Sequence, residues 1–201
     1  VPNTWHVMGV TQAAGFSLKW FRDNLCRDEM NVADLMDTDP YVLMDKEAEK
    51  VNPGSNGLIY LPYLIGERTP HLDSDARGVF FGLSTVHKKS DMIRSVMEGV
   101  TFSLKDCLNI IADLGVEISE VRASGGGGKS RLWKQMQADV FGLPITTTNS
   151  SEGPALGVAL LAGVGTGVYK DVAEACDVAI KPVEVQQPNT ANTEVYSKFY
   201  K

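Results

Sequence analysis

The run Ser124-Gly-Gly-Gly-Gly-Lys-Ser130 constrains this chain more than any other stretch. Glycine inside a helix or strand costs about 0.5–1 kcal/mol relative to alanine, so four in a row suit neither. They permit positive φ and let bare backbone approach something flat or charged. The residues before them, 120–124 (EVRAS), read as a short strand. The residues after them, 130–141, predict a helix with Leu132, Met136 and Val140 on one face. A strand, a glycine turn and a helix start present backbone amides to a ligand. A plain connection needs one left-handed glycine and leaves the others unexplained. The stretch therefore favours a nucleotide or anion site over a simple turn.

Strand-like and helix-like stretches alternate through the rest of the chain. Residues 4–11 (TWHVMGVT) read as a strand feeding a helix from about Ser17, with Leu18, Phe21 and Leu25 on one face. Residues 30–52 are acidic and polar and read as a helical insertion outside the central sheet, with a helix over 41–50. The cluster at 52–57 (NPGSNG) is a turn, residues 57–62 a buried strand stopped by Pro62, and residues 78–83 a further strand. Between these strands lies a charged, aperiodic loop. Its Arg68 and His71 fit either a solvated connection or part of a site or interface. The longest predicted helix covers 90–115, where Ile93, Val96, Val100, Cys107 and Ile111 keep helical spacing as a core stripe. Ser90 can cap it and Gly115 can end it. Residues 143–148 predict a strand and 154–162 a helix full of small residues. Two terminal helices, over 171–180 and 190–201, are joined by a Pro/Gln/Asn linker. Strands alternating with helices make the class α/β.

With 201 residues the chain has the size of one domain, long enough to bury a substantial core. Its net charge of −6 argues against nucleic acid or an anionic membrane as partner, because surfaces that grip those are basic. Any anionic ligand must then be held locally, which returns attention to the glycine loop. The cysteines Cys26, Cys107 and Cys176 are scattered and form no CxxC pair, as expected of reduced thiols in a cytoplasmic protein. No apolar run is long enough to span a membrane. The Val-Pro-Asn start reads as that of a piece of something longer.

Residues 123–130 also come within one residue of the P-loop pattern GxxxxGK[ST], with Ala123 in the first glycine position. A P-loop additionally needs a later strand ending in Asp to complete its Mg²⁺ site, and neither downstream candidate (PITTTN, VAIKP) ends so. His6, His71 and His87 have no metal-ligand spacing, no G-x-S-x-G elbow occurs, and no carboxylate pair stands out as acid and base. The residues by themselves leave three readings: part of a nucleotide-using enzyme, a P-loop NTPase domain, or a non-enzymatic interaction domain whose glycine loop is only a turn.

Three stretches taken together resemble the FGGY carbohydrate kinases, in their xylulokinase branch. The most specific is Gly78-Val-Phe-Phe-Gly-Leu83, seven further residues, then Asp91-Met-Ile-Arg-Ser-Val-Met-Glu98, which matches the family's C-terminal signature. Leu61-Pro-Tyr-Leu-Ile-Gly-Glu-Arg-Thr-Pro-His71 running into Ala76-Arg-Gly78 is similar to the family's sugar-kinase loop. Ser124-Gly-Gly-Gly-Gly-Lys-Ser130 with Trp133, Gln137, Ala138 and Asp139 is similar to its adenosine motif. Glu152-Gly-Pro-Ala-Leu-Gly157 and the stretches His6-Val-Met-Gly-Val10 and Gly15-Phe-Ser-Leu-Lys-Trp20 fit the same group, so the likeness covers essentially the whole chain.

The resemblance implies an actin/hexokinase-like (RNase H-like) ATPase domain, a mixed sheet flanked by helices. Residues 1–201 would be the C-terminal nucleotide-binding domain of a two-domain sugar kinase. It implies transfer of the ATP γ-phosphoryl to O5 of D-xylulose with Mg²⁺. Ribulose, gluconate and glycerol are the alternative acceptors. Gly125, Gly126 and Gly127 would line the adenine, with Ser130 and Lys129 reaching base or ribose. Such a role suits glycine, since a base stacks on backbone only where no Cβ intervenes. The resemblance also implies what is missing: the catalytic aspartate, the phosphate hairpin and most sugar contacts belong to a preceding N-terminal domain. No catalytic residue or metal ligand is assigned here, and the chain alone is expected to be inactive. Arg68 and His71 would face the cleft or that domain. The resemblance leaves room for a homodimer.

Overall fold

The computed structural model describes residues 5–150 and 153–200. Helices α1 (Ala14–Leu25), α2 (Arg27–Leu35) and α3 (Pro40–Glu49) come first, then a hairpin of β1 (Ile59–Leu61) and β2 (Val79–Phe81). The long α4 (Lys89–Asp113) follows, and after it β3 (Val121–Arg122), α5 (Arg131–Phe141) and β4 (Ile145–Thr148). The chain continues through α6 (Pro154–Gly165), α7 (Val172–Ala179), β5 (Pro182–Gln186) and α8 (Thr190–Phe199). The hairpin is antiparallel, pairing Tyr60 with Phe80. The second sheet is mixed, in the order β3-β4-β5, with β3 parallel and β5 antiparallel to β4.

α4 is the axis of the molecule. Its face of Ile93, Val96, Met97 and Val100 is buried against Phe21 of α1, Met44 and Ala48 of α3, Tyr60 of β1 and Met136 of α5. Burying a side chain of this size contributes roughly 1.5–3 kcal/mol, so this stripe carries much of the stability. Contact with β1 is close enough to demand glycine: a Cβ on Gly99 would stand 2.0 Å from the carbonyl oxygen of Tyr60. α3 begins at a sequence-encoded cap, where Asp39 accepts from the Tyr41 amide at 2.9 Å and Pro40 takes the first turn. Its inner residues Met44 and Ala48 share the common core.

A polar network ties distant segments to α4. Buried Glu98 accepts from the Gly54 amide (3.0 Å), Ser55 Oγ (2.7 Å), Arg94 Nε (2.8 Å) and Tyr196 Oη (2.9 Å). Burial and the Glu98 charge together push the Tyr196 phenol far up. Glu67, also buried, accepts from Thr11 Oγ1 (2.8 Å) and from the amides of Gln12 (2.9 Å) and Arg68 (2.7 Å).

Several elements differ from expectation. Residues 5–11 form no strand, and Thr4 lies outside the described residues. Val10 and Thr69 exchange hydrogen bonds at the end of this stretch, beside the Thr11 hydroxyl that reaches Glu67. α1 starts at Ala14, earlier than predicted, and Leu25 is exposed while Leu18 and Phe21 are buried. α2 was not anticipated. Ser90 sits inside α4, and Asp91 fixes the first turn instead by accepting from the Lys88 amide at 2.7 Å. The supposed linker contains β5: Val183, Glu184 and Val185 alternate across a strand, and Glu184 forms an ion pair with Lys134 of α5. α8 ends at Phe199, and Lys201 lies outside the described residues.

Candidate functional site

The glycine loop leaves β3 as the parallel pairing runs out. The Ala123 amide still donates to Thr146 O at 3.0 Å, and one residue later the chain turns away. Gly125 makes that turn with φ 69° and ψ −158°, a region essentially restricted to glycine. A short 3₁₀ turn over Gly126–Gly128 follows, closed by Gly128 N to Gly125 O (3.2 Å) and Lys129 N to Gly126 O (3.1 Å). Gly128 is held by space, because a Cβ there would lie 3.1 Å from Ala123 O. Gly126 has an ordinary φ, and a Cβ on it would meet nothing within 4 Å. Its lack of a side chain is not required by the turn.

α5 is capped by Ser130, whose Oγ accepts from the Trp133 amide at 3.0 Å. Trp133 anchors the helix to α4 through Nε1, which donates to Met97 O (3.2 Å) and Thr101 Oγ1 (3.0 Å). These contacts anchor the first turn of α5, and with it the end of the loop, to α4.

Two cavities meet at the loop. One, of about 330 Å³, lies between it and α1 and α3; Gly126, Gly127, Lys129 and Ser130 form one side, and Leu18, Tyr41, Val42 and Asp45 the other. The second, of about 690 Å³, lies behind the loop against the apolar face of α4 and is lined by Val100, Leu104, Leu108 and Gln137. Gly126, Gly127 and Trp133 border both. Of the residues singled out in the sequence, Gly126, Gly127, Lys129 and Ser130 thus share the smaller cavity, while Gly125 only shapes the turn.

Arg68 and His71 are elsewhere. Both are exposed on the loop between β1 and β2, and His71 lies edge-on to the Tyr63 ring at 5.8 Å between centroids. Neither lines the cavities at the glycine loop.

Sequence reasoning missed Asp45. It stands on α3 at the cavity wall and shares that cavity with Ser130. Burial raises its pKa, the Ser130 hydroxyl opposes this, and the charges of Glu49 and Asp39 add to the rise. The Ser130 hydroxyl accepts from the Trp133 amide as the cap of α5. The signal for Asp45 was weak: one carboxylate among many in an acidic segment, far along the chain from the loop it joins.

The geometry bears on the phosphate question. Two amides that a phosphate nest would use, those of Gly128 and Lys129, already donate within the loop. Asp39 and Asp45 both line the same space and repel an anion. Neither β4 nor β5 ends in aspartate. Among the described residues no three His, Cys, Asp or Glu side chains are grouped as a metal-ligand set, and no helix is long and apolar enough to cross a membrane. The three cysteines are unpaired.

Comparison with known proteins gives one consistent answer. Residues 1–166 match the FGGY family of carbohydrate kinases, C-terminal domain. The chain is 40% identical over 200 residues to a xylulose kinase of Staphylococcus epidermidis, covering 100% of this chain and 38% of that protein. It is 37% identical over 164 residues to a gluconokinase of Bacillus subtilis, covering 81% of this chain and 32% of that one. The crystal structure of ligand-bound xylulose kinase from Lactobacillus acidophilus superposes with a TM-score of 0.80 at 30% identity, over 94% of this chain and 36% of the other. The fold is accordingly the actin/hexokinase-like one, α/β with a mixed sheet flanked by helices. By its sequence, its fold and the extent of both matches, this chain belongs to the FGGY family of carbohydrate kinases, as its C-terminal domain.

Proposed function

We propose that this chain is the nucleotide-binding part of an ATP-dependent sugar kinase that phosphorylates D-xylulose at O5. The observation that carries the nucleotide role is the cavity wall made of bare backbone at Gly126 and Gly127, opposite Tyr41 and Val42. A flat base fits between such walls, and the acidic rim of Asp39 and Asp45 favours the neutral end of a nucleotide there over its phosphates. The sugar assignment rests on the xylulose kinases among the relatives, with gluconate as the second candidate on the strength of the gluconokinase likeness.

The chain spans 38% of the length of the xylulose kinases it matches, so the proposal places the catalytic base and most sugar contacts on a preceding N-terminal domain. Residues 30–52 would then be a helical element that builds one wall of the nucleotide cavity. Arg68 and His71, exposed beside Ile65 and Leu72, are proposed to face that domain across the cleft. Mg²⁺ needs only one or two carboxylates besides the nucleotide's phosphates, and would enter with ATP on that side. In this chain the glycine loop binds and orients, Trp133 holds the loop in place, and the carboxylates keep the triphosphate directed outward. Phosphoryl transfer is chiefly positioning and charge stabilisation from both walls of a cleft.

The test is ADP release by the full-length protein with xylulose, ribulose, gluconate and glycerol, and by this chain alone. The proposal expects turnover with xylulose for the full-length protein and none above background for the chain. Preference for gluconate would reassign the sugar. Xylulose-stimulated turnover by the chain alone would overturn the division of labour.

A further inference from the structure

The Ser130 hydroxyl is engaged as the cap of α5, accepting from the Trp133 amide, and Asp45 is a second polar group in the same cavity. Asp39, the other carboxylate in the wall, is occupied as the cap of α3. A carboxylate can accept several hydrogen bonds. Asp45, by contrast, caps no helix and lines a cavity whose other walls are mainly apolar. An ionised carboxylate offers no donor, so what meets it must bring N–H or O–H. On a purine lying against Gly126 and Gly127, the exocyclic amine at position 6 is such a donor on the base's edge. A 6-oxo group in that place would set two acceptors against each other. We propose, resting on the nucleotide reading above, that Asp45 is the specificity-determining residue for the base: it accepts from the 6-amino group of adenine and disfavours 6-oxopurines.

Asp45 touches no reacting atom in this account, so its readout is selectivity. The experiment measures kcat/KM of the full-length protein with ATP, ITP and 2′-deoxy-ATP, for wild type, Asp45→Ala and Asp45→Asn. Thermal melting establishes that each variant folds. A hydrogen bond to a charged group is worth enough that Asp45→Ala should reduce the ATP-to-ITP preference by about tenfold. ATP should lose, and ITP, relieved of the facing acceptor, should hold or gain. Asp45→Asn, nearly isosteric and able to donate to a 6-oxo group, should reduce the preference by improving ITP. Discrimination against 2′-deoxy-ATP should stay as in wild type. If that discrimination disappears while ATP/ITP is unchanged, Asp45 holds the ribose and the base assignment is overturned. If every nucleotide loses equally, or no ratio moves, Asp45 is structural and the proposal is overturned. Gly126→Leu, measured alongside, separates this from failure of the underlying reading. Unchanged KM for all three nucleotides in that variant would mean the cavity is not the nucleotide site at all.

Discussion

Glu98 and Asp45 are carboxylates that face opposite demands. Glu98 is 2% exposed and accepts from Gly54, Ser55, Arg94 and Tyr196; nothing is left over for a ligand. Asp45 is half-buried beside a cavity that it shares with Ser130. The family signature contains the first and not the second. Asp91, Arg94 and Glu98, the charged positions of that signature, all go into structure: Asp91 fixes the start of α4, and the Arg94–Glu98 pair joins α4 to the 54–55 turn and to α8. The difference teaches that a specific motif need not mark the reactive part of a molecule. Chemistry is sought where hydrogen-bonding capacity remains unspent and space adjoins it.

Four substitutions test that contrast. The largest effect belongs to the saturated side. Glu98→Leu leaves the Arg94 guanidinium buried without its counter-charge and strands the Gly54 amide. Removing one partner of a buried pair costs about 3–5 kcal/mol. In a chain of this size that lowers the melting temperature by roughly 6–20 °C. Nucleotide selectivity among whatever folded protein remains should be unchanged. A melt within a degree or two of wild type would show that the network adds little and would dissolve the contrast.

Gly126→Leu comes next. Because Gly126 has ordinary φ and open space around it, the substitution fills the cavity without straining the turn. Nucleotide affinity should fall tenfold or more, on the order of the cost of misplacing a bound group. KM for the sugar and the melting temperature should change little. Calorimetry with ATP and AMP measures the first, and undiminished affinity would reduce the glycine run to a turn.

Asp45→Asn has a stability consequence as well. The Asp45 pKa is raised in the folded state, so folded protein holds its proton more firmly than the unfolded chain does. The stability this gives is complete below the unfolded carboxylate pKa and is lost as pH rises through the folded value. At neutral pH the ionised group is therefore a net cost. Asp45→Asn, which keeps an acceptor for Ser130, should melt slightly higher than wild type at pH 7, with the difference vanishing toward pH 4. A lower melt at neutral pH would mean Asp45 is held as ion for structural reasons, like Glu98.

What could be read from the sequence was local. The α4 stripe and the strand–glycine–helix passage depend on neighbours a few residues apart, and the structure has them, whereas the cap expected of Ser90 falls instead at Lys88. β5 was hidden because prolines and glutamines around Val183 and Val185 suggested a linker, and its partner β4 lies well upstream in the chain. Residues 5–11 have strand composition, but among the described residues no strand lies beside them, and composition cannot supply one. Glycine at Gly126 was legible, yet its reason was not: the requirement for positive φ falls on Gly125, and Gly126 faces open space. Asp45 was illegible because its meaning comes wholly from a tertiary contact with Ser130. Glu152, part of the resemblance, lies outside the described residues.

Lys129→Ala should have the smallest effect and decides between the two ways a glycine-lysine-serine loop can hold ATP. In a P-loop the lysine neutralises the β and γ phosphates, so its removal damages ATP binding severely and spares AMP or adenosine. Here Lys129 lines the same cavity as Asp39 and Asp45, its own amide is spent on Gly126 O, and its side chain is exposed. An exposed charge near a bound group is worth roughly 0–1 kcal/mol, so the loss should stay below about fivefold. It should also be similar for AMP and ATP, since the proposed nucleoside site directs the phosphates away from it. Calorimetric titration of both nucleotides into wild type and variant, at two salt concentrations, provides the measurement. A loss confined to ATP and reduced by salt would put the triphosphate on this loop. The carboxylates of Asp39 and Asp45 would then lie against the phosphates they are argued to exclude, and the contrast between a spent network and an open nucleoside site would have to be redrawn around Lys129.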